Sequence, residues 1–133
     1  MYVGQYSIKI QNGKIEFPQK FRNEKKKLWA VISYTEDGVK SSVYIIADAD
    51  SFDGYVSAQS KEVDDFEIKA KGDLVLDSHN MWEIPDIVAD NIITDDFVLL
   101  GIGTYIEIMS EKDLEALYDE QADFEEVLNI TDL

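Results

Sequence analysis

One short phrase occurs twice in this chain: Lys14-Ile15-Glu16-Phe17-Pro18 and Met81-Trp82-Glu83-Ile84-Pro85. Both copies read apolar residue, glutamate, apolar residue, proline. The chain has two prolines, 67 residues apart, and both stand at this point. At the same offset Ala30-Val31-Ile32 falls on Phe97-Val98-Leu99. Such self-similarity predicts two copies of one supersecondary unit. Alternation of apolar and polar residues marks a half-buried strand. Proline has no N–H to give to a sheet, and its fixed φ suits the first turn of a helix. Each phrase is therefore expected to be a strand that hands over to a helix at its proline.

In chain order, Tyr2–Ile10 alternates and predicts a strand, with Tyr6, Ile8 and Ile10 on one side and Val3, Gln5 and Ser7 on the other. Gln11-Asn12-Gly13 is a turn, Lys14–Phe17 the return strand, and Pro18 opens a helix through Phe21 to about Lys26, where lysines meet the helix dipole. Leu28–Tyr34 is a strand, Thr35–Ser42 a loop around Asp37-Gly38, and Val43–Ala47 another strand. Asp48 stands to cap a short helix through Phe52, Tyr55 and Val56. Residues 57–71 read as polar loop, with a strand possible at Phe66–Ala70. The second copy follows: Gly72 before a strand Asp73–Leu76, a turn Asp77–Asn80, a strand Met81–Ile84, and a helix from Pro85 to about Asp90. Strands are expected at Phe97–Ile102 and Tyr105–Met109. Ser110-Glu111-Lys112-Asp113 then forms a capping box, opening a helix through Leu114, Leu117 and Tyr118 that continues apolar 3-4 spacing to Phe124, Val127 and Leu128. Phe52 and Leu114 align at an offset of 62, so the first copy carries five extra residues, assigned to the Thr35–Ser42 loop.

At 133 residues, one domain of two intertwined halves is the economical arrangement, because a half alone buries a marginal core. The expected divisions are repeat one at about 2–60, repeat two at about 72–120 and an acidic helical tail at about 110–130. There are no cysteines, so disulfide and thiol chemistry are excluded. No apolar run approaches the ~20 residues of a membrane span, and Met1–Ile10 carry no signal-peptide pattern, so a cytoplasmic protein is expected. The net charge of −16 is unevenly spread. Residues 1–34 hold seven basic side chains and two acidic ones, whereas residues 35–133 hold five lysines against 26 acids. This asymmetry suits one face for a polyanion and another that repels it, or ordinary solvated surface on both.

The repeat of strand, turn, strand, proline-led helix, strand, strand resembles the MraZ family, two-repeat relatives of the AbrB/SpoVT DNA-binding proteins. The resemblance covers about residues 2–120. It rests on Asn12-Gly13-Lys14-Ile15-Glu16-Phe17-Pro18-Gln19-Lys20-Phe21-Arg22 and on Leu100-Gly101-Ile102-Gly103-Thr104-Tyr105-Ile106-Glu107-Ile108. It implies a mainly β, α+β fold: a pseudo-symmetric swapped-hairpin β-barrel with hairpins of both repeats interleaved. It also implies a ring-like homo-oligomer acting as a sequence-specific transcriptional regulator, whose loops present a basic residue to promoter DNA. This sequence departs from the family pattern. Lys14 holds an arginine's place and Ile10 that of an aspartate. In the second copy Asp77 is kept, but Met81 stands for the arginine, Asn80 for the glycine, Ala89 for a helix arginine, and Tyr105 for the arginine before Ile-Glu-Ile. The second copy keeps the shape without the basic chemistry.

The DNA-binding set is therefore Asn12, Lys14, Lys20, Arg22, Lys25, Lys26 and Lys27, with double-stranded promoter DNA as partner and a nucleoid-associated location. The alternative is a protein-interaction module that keeps the barrel without DNA binding, with the acidic C-terminal helix open to a basic protein partner. No enzyme, metal or cofactor is expected. His79 is the sole histidine and sits in a turn. Asp48–Gly54 has the wrong register for a calcium loop, with Gln59 at the position of the bidentate glutamate. Gly101-x-Gly103 lacks the third glycine of a dinucleotide loop and reads as a tight β-turn. Glu16 and Glu83 occupy equivalent structural positions rather than forming a catalytic pair.

Overall fold

The computed structural model describes residues 1–91 and 96–116. The expectations for Leu117, Tyr118, Phe124, Val127 and Leu128, and for the acidic tail they belong to, lie outside the described residues.

Among the described residues, eight strands fall in the order β1 (Tyr2–Lys9), β2 (Lys14–Glu16), β3 (Lys27–Glu36), β4 (Val39–Asp48), β5 (Asp64–Leu74), β6 (Met81–Glu83), β7 (Asp96–Gly103) and β8 (Tyr105–Ser110). A 3-10 turn at Gln19–Phe21 follows β2, α1 (Ala49–Glu62) follows β4, and α2 (Asp86–Ala89) follows β6. Residues 111–116 are helical, and the Asp113 N–H donates to Ser110 Oγ at 3.1 Å, as a capping serine should.

Six strands form one antiparallel sheet in the order β1-β7-β8-β4-β3-β5, and β2 pairs with β6 in a second, two-stranded sheet. β1 runs against β7, with Tyr2 opposite Gly103 and Lys9 opposite Asp96. β5 runs against β3, with Leu74 opposite Lys27, and β4 meets β8 in the centre. The large sheet is open, with β1 and β5 at its edges. The fold is thus mainly β, and its strands do not close into a continuous hydrogen-bonded barrel.

The central strands are apolar on consecutive residues because both faces are covered. Val31, Ile46, Phe97, Leu99, Ile106 and Ile108 pack on one face against Ile15, Phe17, Phe21, Trp82, Ile84 and Val88, which come from the small sheet and the two proline-led turns. Ala30, Ile32, Ile45 and Ala47 pack on the other face beneath Phe52 of α1, with Tyr55, Val56 and Tyr105 around them. Burying each large side chain contributes ~1.5–3 kcal/mol. The repeated phrases sit at the middle of the first layer, and Ile15 and Phe17 are fully buried.

Several local expectations are corrected. The turn after Pro18 ends at Phe21, because Arg22 is already extended at φ −81° and ψ 128°. Lys25 and Lys26 therefore do not end a helix, and Lys27 begins β3. The Thr35–Ser42 segment is not a loop. β3 and β4 run on to a two-residue turn, where Asp37 and Gly38 take φ 52° and 78°, as a type I′ hairpin requires. With ten residues in each strand, this hairpin is longer than the one formed by β7, of eight, and β8, of six. The polar segment 57–71 is the second half of α1 followed by most of β5. Gly72 lies inside β5 rather than before it, because the Trp29 ring lies over it: a Cβ there would stand 2.8 Å from Trp29 Nε1. Gly101 also lies inside a strand, where a Cβ would meet the Tyr2 backbone at 2.7 Å.

Candidate nucleic-acid interface

The two phrases meet in space. Ile15 stands opposite Trp82, Lys14 opposite Glu83, and Glu16 opposite Met81. The Phe17 N–H donates to the Asn80 carbonyl and the Ile84 N–H to the Gly13 carbonyl, each at 3.0 Å. The loops before β2 and β6 are thereby held side by side. In the first loop, Asn12 and Gly13 take φ 54° and 75°, closed by reciprocal hydrogen bonds between Gln11 and Lys14. In the second, Asn80 takes φ 60°, a left-handed conformation that asparagine tolerates. The Asp77 carboxylate accepts the His79 N–H at 2.8 Å and the Met81 N–H at 3.0 Å.

Two adjoining grooves run along this edge, sharing Phe17 and Arg22. The larger, of about 650 Å³, is lined by Lys9, Gln11, Lys14, Glu16 and Arg22 among others. The smaller, of about 240 Å³, is lined by Arg22, Asn23, Lys25, Lys26, Lys27 and Asn80. Together they collect six of the seven basic residues of the first 34 positions, with Glu16 as the acid on their walls. Lys20 is exposed on the turn beside Gln19, and Asn12 is exposed at the loop tip.

Most of these cations have an acidic or polar partner. Lys14 Nζ lies 3.5 Å from Asp77 Oδ2, so the acid of the second loop meets the base of the first. The Met81 and His79 N–H groups, followed by Lys14, hold the Asp77 carboxyl below its usual range. Arg22 Nε donates to the Phe17 carbonyl at 2.8 Å and its Nη2 lies 3.6 Å from Glu16. Lys25 Nζ lies 3.6 Å from Asp50 and 4.0 Å from Asp48. Among the described residues, Lys20 and Lys26 have no ion-pair partner.

Lys27 is different from what the sequence suggests. It is 6% exposed, and its Nζ donates to Asn23 Oδ1 at 2.5 Å and to the Lys25 carbonyl at 3.0 Å, with Asp48 3.9 Å away. Burial pushes its pKa down. The Tyr2 hydroxyl donates to the same Asp48 carboxylate and receives Asn23 Nδ2 at 3.3 Å, and burial pushes its pKa up. Lys27 is therefore a structural cation that ties β1, β3 and the start of α1 together. Asp48 sits at the N-cap of α1 but makes no side-chain cap bond, because its oxygens face Tyr2 and the lysines. Lysine in a basic run gave no sign of this, since its acid, Asp48, lies 21 residues later and is shared with Tyr2.

Asp48–Gly54 spans the end of β4 and the first turns of α1, His79 is exposed in its turn, and among the described residues no three His, Cys, Asp or Glu side chains cluster as metal ligands. Among the described residues no helix is long and apolar enough to cross a membrane. No protein-family model and no curated protein matches this chain.

Proposed function

We propose that this protein is a DNA-binding transcriptional regulator that contacts phosphates along the paired-loop edge and acts as a homo-oligomer. The observation that carries the reading is the collection of six basic residues on two adjoining grooves in a chain of net charge −16. In such a chain a confined basic edge supplies local attraction, while acids beyond about 8 Å are screened at physiological salt. Lys14, Lys20, Arg22 and Lys26 are the phosphate contacts, and Asn12 at the loop tip is placed for a groove edge. Lys25 contributes once it leaves Asp50. Lys27 holds the scaffold instead.

The arrangement proposed is a swapped-hairpin pair of MraZ-like repeats. Three features support it: the exchange of edge strands, with β1 on β7 and β5 on β3; the mirrored bonds of Phe17 and Ile84; and the matching placement of Pro18 and Pro85 at helix starts. In a ring, one weak edge per subunit gains through avidity.

Fluorescence anisotropy with duplex DNA from upstream of the protein's own gene tests this reading. Log affinity should fall with log salt by ~0.9 per neutralised phosphate, and Lys14→Ala should reduce that slope by about 1. No binding at ~50 mM salt removes the DNA reading. Light scattering tests the oligomer, and a monomer at micromolar concentration removes the ring. The ion pairing of Lys14, Arg22 and Lys25 favours a second reading, an interaction module whose cations are already satisfied. Protein-directed pull-downs with unchanged DNA-free behaviour would support that alternative.

A further inference from the structure

A pocket of about 190 Å³ lies between α1 and the large sheet, and it shares no lining residue with the basic grooves. Its walls include three tyrosines, Tyr34 of β3, Tyr55 of α1 and Tyr105 of β8, and three carboxylates, Glu36 of β3, Glu62 of α1 and Glu107 of β8. Among the described residues no basic side chain lines it. The Tyr55 and Tyr105 rings meet at 4.7 Å between centroids with planes 58° apart, so they form a corner rather than a flat stack. Aromatic faces carry negative potential and hold ammonium groups by cation–π attraction, most strongly where water is partly excluded. Three rings beside three carboxylates are complementary to one positive head. The volume is below the ~300 Å³ at which drug-sized ligands begin, which suits a single headgroup.

We propose that this pocket is a binding site for an organic ammonium group, held by the rings of Tyr34, Tyr55 and Tyr105 and the carboxylate of Glu107. The site goes beyond DNA binding and does not depend on it. Glu107 is the central carboxylate: it is largely sheltered, and burial raises its pKa. A cation in the pocket favours the ionised form and offsets that burial. Burial also raises the tyrosine pKa values, so the hydroxyls stay neutral and the rings serve as neutral walls. Glu36 and Glu62 at the rim add negative potential from β3 and α1. Binding should therefore weaken as pH falls and Glu107 protonates.

The chemistry fits two sources, a free alkylammonium compound or the side chain of a lysine in a protein. Tetramethylammonium chloride is titrated into the full chain at constant ionic strength, with sodium chloride as control, and ring resonances of the three tyrosines are followed by NMR. A second arm uses a capped glycine-lysine-glycine peptide against its norleucine counterpart. Saturable shifts confined to Tyr34, Tyr55 and Tyr105, weakened about five- to tenfold by Glu107→Gln and by Tyr34→Leu, are expected. Tighter binding of the peptide identifies a protein lysine, and tighter binding of tetramethylammonium identifies a small ammonium ligand. Tyr34 belongs to neither buried cluster, so its replacement leaves the core in place. The proposal is overturned if neither probe gives saturable shifts at these rings, or if Glu107→Gln binds as well as the parent.

Discussion

At the scale of single residues, charge identity says less than charge company. Lys14 and Lys27 both belong to the basic first quarter, yet one meets an exposed aspartate and the other is enclosed by Asn23 and Asp48. Asp77→Asn should therefore release Lys14 and tighten DNA binding by about two- to fivefold, the worth of an exposed pair. Anisotropy at low salt reads this directly, and unchanged affinity would mean that Asp77 does not restrain Lys14. Asp48→Ala should cost about 3 kcal/mol in urea denaturation, since it leaves buried Lys27 without its acid and Tyr2 without its acceptor. Glu107 gives a pH test. Its folded pKa lies above the unfolded value of ~4.3, so the folded state binds more protons. Its favourable contribution is present below pH ~4 and is lost as pH rises through the folded pKa. Glu107→Gln should therefore be more stable than the parent at neutral pH and gain nothing at pH 4, which thermal melts at the two values would check.

At the scale of elements, the alternating and continuous apolar runs located seven of the eight strands to within a few residues, and both prolines marked the helix starts. These signals are local: period, φ restriction and turn residues. Two elements were misread because their cause is elsewhere in the chain. α1 continues through the polar residues 57–62, since only one stripe of it, Phe52, Tyr55 and Val56, meets the sheet. β5 continues through Gly72 because Trp29 covers that glycine from the neighbouring strand. Gly72→Ala should accordingly cost about 1–3 kcal/mol as an overpacking change, whereas alanine at the open Gly54 of α1 should be neutral or stabilising. Denaturant midpoints of the two variants make the comparison. Of the candidate interface, the sequence showed which residues are basic and which loop carries them. The pairing of Asp77 with Lys14 depends on β6 meeting β2, and the enclosure of Lys27 on Tyr2, Asn23 and Asp48 converging around it, and no spacing encodes either directly.

At the scale of the whole molecule, each half supplies an edge strand to the other: β1 ends up on β7 and β5 on β3. Residues 1–62 expressed alone should stay unfolded, because β1 and β3 each lose a partner strand and the face above Phe17 loses Trp82 and Ile84. Mixing them with residues 63–133 should restore sheet signal by circular dichroism. A folded, cooperative first half would show that the copies are independent units. The same exchange sets a clock for synthesis. Lys9 pairs with Asp96, 87 residues later, so at ~5–20 residues per second β1 leaves the ribosome roughly 4–17 s before its partner exists. Throughout that interval the nascent chain displays Tyr2, Tyr6 and Ile8 with no β7 to join, an unpaired apolar strand of the kind that aggregates when partners are late.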